Sequence, residues 1–304
     1  MSTFQPGLVH APITPFSGDR QIDFDAYGKL VEFHLRYGAQ TLAVPMHVGE
    51  SVSLSDAEQQ SLIEFTLKAA KGRAPVMAHV SDSGTGIAAA RAKRAEKAGA
   101  AAVVATTPYY WTPPAGMVLE HLAQIGAAVK IPFYVFYTPR EMGSTKLGTD
   151  TVVKLVERLP NFTGIVDSSL DWQFMINIIS AAQRVRPAFQ LISGTEYMIS
   201  AGAIGATGMF SSLAAVAPRL VAEFYAVCRK EQYEKARPAQ EALATLRQLI
   251  KKNGISGLKG ALRAMGRDCG QPRPPLDALA AADYERIAAG IGTSGALRAE
   301  PKGW

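Results

Sequence analysis

Eight times along the chain, a short apolar run of strand character gives way to a stretch with helical periodicity. The strand-like runs begin near Gly7 ("GLVHAPIT"), Thr41 ("TLAVPM"), Pro75 ("PVMAHV"), Ala101 ("AAVVATT"), Pro132 ("PFYVFY"), Phe162 ("FTGIV"), Phe189 ("FQLIS") and Ala206 ("ATGMFS"). Between them, "SDAEQQSLIEFTLKAAKG" opens on Ser55 as an N-cap, with acids in its first turn and Gly72 to close it. Eight βα units predict an α/β chain folded as a (β/α)₈ barrel. A doubly wound nucleotide fold lacks support, since no GxGxxG opens the first helix and no GxxxxGK[ST] occurs. From Pro218 the strand signals stop and helical patterns continue to the end. The expected organisation is a barrel over residues 1–216 and a C-terminal helical region over 217–304 packed on it.

Composition narrows the setting. The 304 residues are 48% hydrophobic and 19% charged, as in globular proteins. No apolar run reaches the ~18 residues of a membrane span, and the N-terminus lacks the basic and apolar regions of a secretory signal. Cys228 and Cys269 have no CxxC spacing and suit a reducing cytoplasm, the expected location. The net charge of +6 is spread along helices, with neither a basic stripe nor an aromatic platform, so nucleic acid is not an expected partner.

Barrel active sites lie at the carboxyl ends of the strands, and there the chain carries recognisable motifs. "APITPFSGDRQID", "VGESVSLSDAEQ", "TTPYYWTPP", "YTPREMG", "GIVDSSLD", "SGTE" and "GLKGALRAMG…RPPL" follow in order from about Pro6 to Ile291. Together they resemble the dihydrodipicolinate synthase / N-acetylneuraminate lyase family. The resemblance implies a lyase or aldolase in which a lysine ending the sixth strand forms a Schiff base with a 2-keto acid, usually pyruvate. It further implies a proton-shuttling tyrosine on the fifth strand and a Gly-Thr-Thr-Gly-Glu turn that holds the keto-acid carboxylate. A tyrosine of the Pro-Tyr-Tyr motif, here Tyr110, would be lent across a homodimer or homotetramer interface.

This sequence departs from that pattern at several positions. The lysine position reads Val166, and the fifth-strand tyrosine reads Phe136. The Gly-Thr-Thr turn reads Met46, His47, Val48, with Gly49 and Glu50 retained. An arginine often found after the fifth strand reads Glu141, beside Arg140, and a small residue ending the third strand reads His79. Lys146, Lys154 and Lys259 are not pointed into the barrel mouth by the pattern. Lysine Schiff-base chemistry is therefore expected to be absent.

What remains is a less polar pocket of Val48, Phe136, Val166 and Phe210, flanked by Arg140, Glu141 and Glu196. Such a pocket suits a small organic ligand. His47 and His79 are the acid–base candidates, with Tyr110 as a proton donor. They could also be packed or hydrogen-bonded to a ligand, and a metal site completed by a carboxylate is the remaining alternative. His10 is expected lower in the barrel, and His34 and His121 in the outer layer. No HxH or HExxH spacing marks a metal site, and no cofactor is expected. Glu50 reads as structural, accepting backbone N–H bonds, and Asp167 as pointing off the barrel axis; Glu141 and Glu196 read as solvated loop acids. Two functions stay open: a diverged lyase-type enzyme on a small organic acid or carbonyl compound, or a non-catalytic small-molecule-binding or regulatory relative. A conventional pyruvate aldolase using a displaced lysine is the third.

Overall fold

The computed structural model describes residues 4–139 and 145–304. The strands are β1 (Leu8–His10), β2 (Thr41–Val44), β3 (Val76–His79), β4 (Ala102–Ala105), β5 (Phe133–Tyr137), β6 (Phe162–Asp167), β7 (Gln190–Ser193) and β8 (Gly208–Ser211). They form a closed barrel in sequence order. Alternating with them are α1 (Phe24–Arg36), α2 (Asp56–Ala70), α3 (Thr85–Ala98), α4 (Ala115–Ala127), α5 (Thr149–Arg158), α6 (Trp172–Val185), α7 (Met198–Ala203) and α8 (Pro218–Cys228). Then come α9 (Tyr233–Lys251), α10 (Gly254–Ala264) and α11 (Ala281–Thr293). The (β/α)₈ expectation holds, with C-terminal helices after it. No helix is long and apolar enough to cross a membrane among the described residues.

Local chemistry sets the element limits. Ser55 caps α2 in a full capping box with Glu58, and Asp23 and Asp171 cap α1 and α6. β1 is short because Pro12 and Pro15, which lack N–H groups, follow within a few residues.

The chain divides into two compact units. One is Pro75–Phe210 with the segment up to Gly7; the other joins Leu8–Ala74 to Ser211–Trp304. In the first unit, β3 to β8 pair in parallel with neighbours in order. Their inner face can be read from contacts that skip a strand. Tyr134 Oη on β5 meets Gln190 Oε1 on β7 at 3.0 Å, across Gly164 of β6. A Cβ at Gly164 would lie 2.6 Å from the Gln190 carbonyl oxygen, so the crossing needs glycine. Phe136 on β5 packs its ring against Phe210 on β8 at 5.9 Å between centroids. Tyr137, one residue on, turns the other way and packs on Phe174 of α6. In the second unit, β1 pairs with β2, and α8, α9, α10 and α11 pack in sequence.

Candidate functional site

With the inner face fixed, alternation assigns the side chains of the first unit. Val166 is in register with Phe136 and Ile192 and is fully buried on the inner face. Phe210 is buried and Phe136 half-buried beside it. The register carries the same face across β4 and β3, because Val104 pairs with Tyr134 and His79 pairs with Val104. Thr106 follows Val104 by two residues, just past the end of β4, and Ser81 follows His79 by two, just past the end of β3.

Three of these polar groups meet. His79 Nε2 lies 2.7 Å from Ser81 Oγ, and Thr106 N donates to the same hydroxyl at 2.8 Å. All three residues are buried. Thr106 Oγ1 has no hydrogen-bond partner among the described residues. Behind them, Arg91 donates to the Ser81 carbonyl at 2.6 Å and pairs with Asp82 at 3.2 Å, tying α3 to the end of β3. Sequence reasoning singled out His79 but passed over Ser81 and Thr106. The signal was the i, i+2 spacing of "HVS", which on a strand puts both side chains on one face.

Two carboxylates of this unit, Asp167 and Glu196, are buried. Asp167 is 4% exposed on the outer side of β6, as expected for its direction. Its oxygens accept from Ser169 N and Oγ, yet burial pushes the carboxyl up to about 7. Glu196 is 2% exposed, which corrects the expectation of a solvated acid. It directly follows the strand-end turn at Gly194 and Thr195, whose Gly194 N donates to the Asp167 carbonyl at 2.7 Å. That turn folds back against β6 and leaves its acid little access to water.

In the second unit, Glu50 is structural. Its left-handed backbone (φ 59°) ends a short 3-10 turn, His47–Gly49, and its carboxylate pairs with Lys259 of α10 at 2.8 Å. It also accepts from Arg273 N at 2.8 Å. The Lys259 ammonium in turn meets the Gln271 carbonyl and the Phe16 ring. The amine of Lys259 is thus held by a carboxylate, while Lys146 and Lys154 are exposed. His47 is exposed and Val48 half-buried.

His10 and His34 face each other between β1 and α1, with their Nδ1 atoms 3.0 Å apart and both rings fully buried. Burial pulls His10 down to about 3 and His34 well below the histidine range, so the pair is neutral and shares one proton between two nitrogens. Both belong to the wall. His121 hydrogen-bonds Thr85 between α4 and α3, also in the helical layer.

Comparison with known proteins follows this geometry. The model of the dihydrodipicolinate synthetase family matches residues 5–293. The chain belongs to this family. Among relatives of the family, 4-hydroxy-tetrahydrodipicolinate synthase of Rhizobium meliloti is 32% identical over 287 residues, covering 92% of this chain and 95% of that one. The crystal structure of dihydrodipicolinate synthase from Thermotoga maritima matches with a TM-score of 0.90 at 27% identity, covering 97% of this chain and 100% of that one. A solved monomeric dihydrodipicolinate synthase variant matches with a TM-score of 0.89 at 26% identity, covering 95% and 96%.

The aromatic loop retained from the family motif stands out from the chain. Tyr110 is 99% exposed with φ 83°, and Trp111 is half exposed. Tyr109 is held by Ser83, whose hydroxyl donates to its carbonyl at 2.5 Å and accepts its N–H. Arg140 and Glu141 lie outside the described residues.

Proposed function

We propose that this chain is a lyase-type enzyme acting on a small organic acid or carbonyl compound without a lysine Schiff base. The observation that carries this reading is Val166, fully buried on the inner face of β6 between Phe136 and Ile192. An amine that attacks a carbonyl must be held to well under an ångström by its surroundings. Here the position that family resemblance gives to that amine holds two methyl groups. Lys259, the buried lysine of the second unit, is committed to Glu50.

His79 is the acid–base group of this reading. An imidazole can both accept and donate a proton, and Ser81 hydrogen-bonds its Nε2 at 2.7 Å. Phe136, Val166 and Phe210 supply an apolar floor. Tyr110 is the group that a second copy of the chain would receive, in a homodimer or homotetramer, and cytoplasmic location completes the proposal. A panel of 2-keto acids, hydroxy acids and aldehydes, assayed for consumption by wild type and His79→Gln, tests it. Saturable turnover lost by at least about 100-fold in the variant is the expected result. Ligand binding without turnover would replace the enzyme by a small-molecule-binding protein.

A further inference from the structure

Ser81 Oγ has two hydrogen-bond partners, His79 Nε2 and Thr106 N. A backbone N–H can only donate, so the hydroxyl accepts from Thr106. Among the described residues its own proton then has one acceptor within reach, the His79 Nε2 lone pair at 2.7 Å. Protonation of Nε2 would leave the serine accepting twice and its proton without a partner. In the tautomer with its proton on Nδ1, His79 Nε2 accepts from that hydroxyl. A hydroxyl on the lone pair of an imidazole, at this distance, is the arrangement that activates a serine.

The surroundings point the same way. His79 ends β3 on its inner face, and Ser81 follows it two residues on. The Thr106 N–H would stabilise negative charge on Oγ as its proton leaves. Thr106 Oγ1, 2% exposed and without a partner among the described residues, is a spare donor for a ligand oxygen. Arg91 holds the Ser81 carbonyl from behind, so the pair is braced at its backbone.

We infer that Ser81 is a nucleophile with His79 as its general base, and that it accepts an acyl group from an ester with an apolar acyl chain. Oγ attacks the carbonyl carbon and the Oγ–C bond forms while the proton passes to His79 Nε2. The bond from that carbon to the alcohol oxygen breaks, and the departing alcohol takes the proton from Nε2. Water, deprotonated by the same nitrogen, then attacks the acyl carbon. The acid leaves and Ser81 regains its proton. The inference rests on the reading of His79 as a base in the proposed function, but it commits to a covalent partner which that reading does not require.

Diisopropyl fluorophosphate tests it: an Oγ–P bond forms, the P–F bond breaks, and the proton leaves through His79. The expected result is one adduct per chain, mapped by peptide mass to Ser81, with labelling about 100-fold slower in His79→Gln. Should that variant not fold, the pH–rate profile of wild-type labelling serves instead, and is expected to fall in acid as one imidazole protonates. No adduct on folded protein, beside a serine protease that labels, overturns the inference. So does equal labelling of His79→Gln, or a rate that rises in proportion to hydroxide throughout. A reducible pyruvate adduct on a lysine would instead sink the proposed function and leave the serine result standing.

Discussion

Lys259 and Glu50 give up water together, and each is tolerable only because the other is there. Replacing Lys259 by Met leaves a buried carboxylate with a single backbone donor, and should cost about 3–5 kcal/mol in urea unfolding. Adding Glu50→Leu should recover most of that loss; full additivity would show that the two are not a pair. Protons act on the buried pair His10–His34 with a definite sign. Their folded values lie below the ordinary 6.5, so the unfolded chain binds more protons, and stability present above about 6.5 is lost as pH falls toward 3. Asp167 works in the opposite direction. Raised from 3.8 to about 7, it makes stability fall as pH rises through that window. The urea midpoint of His10→Asn should therefore depend less on acid than that of wild type. Asp167→Asn should exceed wild type above about pH 7 and match it near pH 4. At this scale the sequence was only partly legible. Val166, Phe136 and His79 could be placed from motifs at strand ends. The burial of Glu50 could not, because it depends on Lys259 and on Arg273, which is 223 residues away. His34 looked like any helical histidine until β1 brought His10 against it.

Elements owe their positions to a few residues that admit no substitute. Gly164 lets Tyr134 reach Gln190 across β6. Its Ala variant would set a Cβ 2.6 Å from a backbone oxygen, so Gly164→Ala should lower Tm sharply. Gly116, in the first turn of α4, is the contrasting case, since a Cβ there meets nothing within 4 Å. Gly116→Ala should leave Tm unchanged or raise stability by about 0.5–1 kcal/mol. Equal effects in the two variants, by thermal unfolding, would contradict this account of β6. Strand and helix identity was read well from apolar periodicity, as in "PVMAHV" for β3 and "FTGIV" for β6. The limits were less legible: "GLVHAPIT" reads as a longer strand than the three residues of β1, because prolines remove the donors a ladder needs.

At the scale of the molecule, the order of eight βα units gave the barrel, and the ordered motifs gave the family now shown by its match over residues 5–293. The chemistry was harder to see, because Val166 is visible in one residue whereas a site built from several side chains depends on which of them meet. His79 at the end of β3, Ser81 just after it and Thr106 just after β4 join only once the strands are in register. The proposed function has this member of the family working without a lysine Schiff base. The most direct measurement is reductive trapping: the protein is incubated with pyruvate and a panel of other 2-keto acids, reduced with borohydride, and weighed intact beside a synthase of the family. Added mass is expected on the synthase and none on this chain. A stoichiometric adduct here would contradict the proposed function, and would place the reacting amine on a lysine other than the residue at 166.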